Sequence, residues 1–83
     1  MPTQEELRAV WKKEADEEAK QFAEDNGFEV AKIAERISER RELIIRAGDR
    51  SDMQLGSSSR YWLDCYIAAL EGILEGLKVA AMP

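Results

Sequence analysis

The chain has 83 residues, a formal net charge of −5 at pH 7, one cysteine and no histidine. That length holds a single domain, residues 1–83, whose small core removes a little over ~60% of the unfolded chain's surface from water, and it excludes a second independent domain. The acidic balance argues against a general nucleic-acid binder, which needs clustered Lys and Arg in excess. The missing histidine removes the usual general base and the usual zinc ligand.

The charge is uneven. Residues 1–29 carry four bases against nine acids, residues 30–60 seven bases against five acids, and residues 61–83 one base against three acids. A lone Cys65 forms no intramolecular disulfide, so nothing points to an oxidising compartment, and a cytoplasmic location is the default expectation. There is no basic start followed by an apolar run, as a signal peptide would have, and the longest apolar run, Cys65 to Leu70, is far short of a membrane span. A soluble protein without a membrane partner is expected.

Thr3 and Glu6 have the spacing of a capping box, in which hydroxyl and carboxylate each satisfy an orphan N–H, so a first helix is predicted over about 3–26. Its apolar stripe is Leu7, Val10, Trp11, Ala15, Ala19 and Phe22, with only alanines in the middle turns. Asn26-Gly27 tolerates the left-handed conformation and ends it. A second helix follows over about 28–47, with Val30, Ile33, Ala34, Ile37, Ile44 and Ala47 on one face. Lys32/Glu35, Arg36/Glu39 and Glu42/Arg46 can pair along its wet side. Gly48 is the next stop.

Residues 48–58 are rich in turn formers and form the one substantial loop. A third helix is predicted over about 58–80, with one of Ser57, Ser58 or Ser59 capping its first free N–H groups. At 100° per residue, Leu63, Ile67, Leu70, Leu74 and Leu77 fall within about 40° of one line. Trp62, Tyr66, Ala69, Ile73, Gly76 and Ala80 spread the apolar arc to nearly twice the usual stripe of roughly 100°. Ala68, Gly72, Gly76 and Ala80 form a ridge of small side chains, and two interior glycines at a cost of about 1 kcal/mol each suggest close approach by another helix. With no alternating stretch and few β-branched residues, the fold class is all-α: a small three-helix bundle, or a helical hairpin plus an N-terminal arm.

Two readings of the third helix follow. Either it is central and covered by the other two, or Trp62, Tyr66, Ala69, Ile73, Gly72, Gly76 and Ala80 contact another chain, most simply a second copy. Charged docking candidates are the arginines Arg36, Arg40, Arg41, Arg46 and Arg50 and the acids Glu14, Glu17 and Glu18. Cys65, on a helix with no basic neighbour in sequence, is expected to be a packing residue.

Three stretches carry partial resemblances to known families. Glu14-x-x-Glu17 resembles the metal-binding helix of all-α nucleotide pyrophosphatases, but the second Glu-x-x-Asp of those enzymes is missing. Leu55, Gly56 and Ser59 resemble part of the phosphopantetheine attachment motif of acyl carrier proteins, with Ser58 in place of the Asp and Arg60 in place of the following Leu. Tyr66 to Leu74 is similar to a helix of nitrile hydratase β-type subunits over about nine residues of a common amphipathic kind.

No complete catalytic, cofactor-binding or metal-binding set is assembled. The expectation is a non-enzymatic helical protein–protein interaction module, either a homo-oligomer or the small subunit of a larger assembly. The alternative is a small acidic inhibitor of phage or plasmid type whose first-helix carboxylates occupy a basic site on a target. An acyl-carrier-like protein or a metal-dependent enzyme is the remote alternative.

Overall fold

The computed structural model describes residues 3–49 and 57–81, and the Leu55-Gly56 part of the attachment-like motif and Arg50 lie outside that range. Its elements are α1 (Gln4–Asp25), α2 (Val30–Asp49) and α3 (Ser57–Ala81). Among the described residues there is no strand, and no helix is long and apolar enough to cross a membrane. The architecture is a three-helix bundle. α3 is the shared partner: α1 and α2 both pack on it and touch one another only slightly.

The start of α1 follows from its first residues. The Thr3 Oγ1 accepts a hydrogen bond from Glu6 N at 3.2 Å, and the Glu6 carboxylate accepts one from Thr3 N at 3.3 Å, completing the capping box. Its end is a Schellman closure: Phe28 N donates to Ala23 O at 2.8 Å and Gly27 N to Glu24 O at 3.1 Å. Gly27 has φ 62°, and Phe28 follows it at φ 55°. A left-handed glycine is free of the Cβ clash that Phe28 must bear.

α2 begins two residues later than expected, because Glu29 is used in the turn and its carbonyl accepts the first bond, from Ile33 N at 3.1 Å. It also runs through Gly48 to Asp49, so Gly48 is not its stop. α3 is already under way at Ser57, so the capping position falls on residue 56, outside the described range, and the serines are helical residues.

The fully buried side chains of α1 are Ala15, Ala19 and Ala23. This corrects the expected stripe: Val10 is 52% exposed, Trp11 and Phe22 are only half-buried, and Ala23 takes a place the stripe did not include. The physical reason is size. Three alanines four residues apart let the α1 backbone come close to α3, and the larger residues of α1 then lie beside the contact rather than in it. The facing volume is filled by Tyr66, Ile67 and Leu70 of α3, with Ile33 and Ile37 from α2.

Tyr66 is 4% exposed. It is therefore a core residue and not a free partner contact, because the alanines bring α1 near enough to cover it. Trp62, Ala69 and Ile73 are half-buried against the same core. The second apolar face of α3 is thus largely answered within the chain. Ala68, Gly72, Gly76 and Ala80 are exposed, and a Cβ built on Gly72 or Gly76 would meet nothing within 4 Å, so among the described residues no other helix approaches this ridge closely.

The bundle is shallow. It measures 47 × 32 × 20 Å with a radius of gyration of 14.3 Å, against about 12 Å for a compact chain of this length. It exposes 6065 Å², against about 5,000 Å² for a compact monomer of its mass.

Candidate functional site: an aromatic groove with walls of opposite charge

Where the three helices come together on one side they leave an open groove of about 390 Å³. Its α1 wall is Glu18, Gln21, Phe22 and Asp25, its α2 wall is Arg36 and Arg40, and Trp62 and Tyr66 of α3 complete it. Each wall follows from helical spacing. Residues 18, 21, 22 and 25 lie on one side of α1 beside its alanine ridge, Arg36 and Arg40 are one turn apart, and so are Trp62 and Tyr66.

The aromatic part is ordered by stacking. The rings of Trp62 and Tyr66 are 5.1 Å apart and 13° from parallel. The Arg36 guanidinium lies 4.2 Å from the Phe22 ring centroid, close enough for a cation–π contact. Burial pushes the Tyr66 hydroxyl above its usual pKa, with Arg36 and Arg40 pulling the other way. Both arginines therefore act electrostatically on the groove floor.

The expected pairing along α2 is met in part. Arg46 bonds to Glu42 at 3.3 Å. Lys32, however, pairs with Glu29 at 3.5 Å rather than Glu35, and Arg36 takes the Phe22 ring rather than Glu39. Arg41 reaches across to Glu71 of α3. Among the described residues, Arg36 and Arg40 have no carboxylate within ion-pair distance. The arginine cluster is thus divided: two members are spent on ion pairs, and two face the groove half-buried.

Glu14, Glu17 and Glu18 are exposed and line a shallow depression of about 300 Å³ with Gln21. Among the described residues no group of three or more His, Cys, Asp or Glu side chains is placed to hold a metal ion. Cys65 is a half-buried free thiol packed against the core, bordered by Lys12, Asp16, Ala68 and Ala69. Lys12 donates to Asp16 at 3.1 Å, and that bond raises its pKa. The Tyr61 hydroxyl is raised by its hydrogen bond with Cys65.

Of the expected contact residues, the groove brings together Trp62, Tyr66, Arg36, Arg40 and Glu18, and it leaves out Ala69, Ile73, Gly72, Gly76, Ala80, Arg41, Arg46, Glu14 and Glu17. Phe22, Gln21 and Asp25 were missed as site residues. Phe22 had been assigned to the core stripe, and its 22/36 pairing across two helices leaves no local signal. What the groove offers chemically is recognition: a stacking surface, two guanidinium groups and two carboxylates. Compared with protein-family models, curated proteins and solved structures, the chain matches none.

Proposed function

We propose that this protein is a cytoplasmic, non-enzymatic helical module for protein–protein interaction. The observation that carries this reading is the open groove of about 390 Å³ where the three helices come together. The half-buried Trp62 lines this groove with Arg36 and Arg40, which among the described residues have no carboxylate within ion-pair distance. Aromatic and arginine side chains in a partly desolvated pocket are what concentrates binding energy at protein interfaces.

The test is a photo-cross-linking side chain placed at position 62, with one at the exposed Glu5 as control, activated in the cells that make the protein. Protein adducts at 62 and none at 5 support the module, and no adduct at either position counts against it.

A second reading has its own support. Glu14, Glu17 and Glu18 are exposed on one depression and have no basic partner among the described residues. An acidic inhibitor would present such carboxylates to a basic site. Reversing the three to Lys would then abolish capture of a target obtained by cross-linking, and undiminished capture would reject this reading.

A further inference from the structure

Resting on the interaction reading above, we infer that the groove is the contact surface for a second copy of this chain, related by a two-fold axis that runs along the groove past Trp62.

The argument starts from the signs of the walls. One carries Glu18 and Asp25, the other Arg36 and Arg40, with aromatic rings between them. A symmetric dimer uses the same patch on both subunits, so the patch must complement itself. A groove with one acidic and one basic wall does so: a two-fold axis running along the groove, between its walls, sets the acids of each copy over the arginines of the other. A groove of uniform sign would repel its own image. The arrangement also accounts for two arginines that, among the described residues, are left without carboxylates in a chain of net charge −5.

Facing Trp62 side chains would take the central position where interface energy concentrates. The four charges that each copy contributes around them would fix the orientation in which acid meets arginine.

The experiment is a charge exchange on the whole chain, read by light scattering after size exclusion, with helix content followed by circular dichroism. The wild type is expected at twice 9.4 kDa. Glu18→Lys with Asp25→Lys, and separately Arg36→Glu with Arg40→Glu, should each weaken the dimer at least tenfold. An equimolar mixture of the two variants should restore a mass of two chains, because opposite walls then meet only in the mixed pair. Should Arg36→Glu cost helix content through loss of its Phe22 contact, Arg40→Glu alone and Trp62→Ser carry the same test. A wild type that is monomeric at all concentrations overturns the proposal, and so does a dimer that neither charge exchange nor Trp62→Ser weakens. A monomeric wild type that still forms adducts with other proteins at position 62 removes the second copy and leaves the interaction module standing.

Discussion

The Arg36 guanidinium sits 4.2 Å from the centre of the Phe22 ring and so ties α2 to α1, two helices that otherwise touch only slightly. A cation held on an aromatic face contributes about 0.5–1 kcal/mol where water still reaches it. Arg36→Ala is expected to lower the urea midpoint by that order. In the Phe22→Leu background the same substitution should cost much less. A double-mutant cycle measures the coupling directly, and additive losses would mean the two side chains contribute independently.

The close approach of α1 to α3 depends on Ala15, Ala19 and Ala23, all 0% exposed. No space remains for a longer side chain, and inserting methylenes into a packed contact costs about 1–3 kcal/mol through shifted backbone and strained rotamers. Ala19→Leu should therefore destabilise the bundle although leucine suits a helix, whereas Ala9→Leu, on the exposed side of the same helix, should leave the thermal midpoint nearly unchanged.

Phe28 holds φ 55° while 43% exposed. A side chain with a Cβ in the left-handed region costs roughly 1–2 kcal/mol, and so exposed a ring recovers little by burial. Phe28→Gly is expected to raise stability by about 1 kcal/mol, and Phe28→Asn by a smaller amount. Gly27→Ala, at φ 62°, should lower it for the same reason. Denaturant titration of the three variants checks the order, and a destabilised Phe28→Gly would show that the ring contributes more by contact than it costs by strain.

Gly72 and Gly76 lie in the interior of α3 with nothing within 4 Å of where a Cβ would stand. Each should gain on the order of 1 kcal/mol on substitution by alanine, because glycine loses more backbone freedom in a helix. Gly72→Ala and Gly76→Ala, measured singly and together, should raise the midpoint additively. A loss instead would show another chain lying against this ridge.

Local signals carried much of the architecture. The Thr3/Glu6 spacing and Asn26-Gly27 act within a single turn of chain, so the start and stop of α1 could be read from neighbouring residues alone. The α3 stripe was legible for the same reason, since Ile67 and Leu70 recur at helical spacing. What escaped was tertiary. An alanine in a helix carries almost no hydrophobic signal, yet Ala23 is buried because of what faces it. Arg36 had a carboxylate three residues away and still took a ring from another helix, a choice that only the packed arrangement decides. The opposite charges of the groove walls belong to helices whose own patterns are each a mixture of both signs.

Tyr66 connects the groove to stability through pH. Burial raises the pKa of its hydroxyl above the ordinary value of 10.0, with Glu18 and Glu39 adding to the rise and Arg36 and Arg40 opposing it. The folded state thus holds the proton more tightly than the unfolded chain. Between the two pKa values the unfolded state binds fewer protons, so stability falls as pH rises. The contribution of Tyr66 is fully present below about pH 10, the ordinary tyrosine value, and is lost as pH climbs through the folded pKa. Lys12 and Tyr61, both raised as well, act in the same direction at the exposed surface. Urea midpoints should therefore be flat from neutral pH to the tyrosine range and then drop. Tyr66→Phe keeps the stacking ring and removes the titrating group, so its alkaline drop should be shallower than that of the wild type. Identical slopes for the two proteins would place the alkaline sensitivity elsewhere in the bundle.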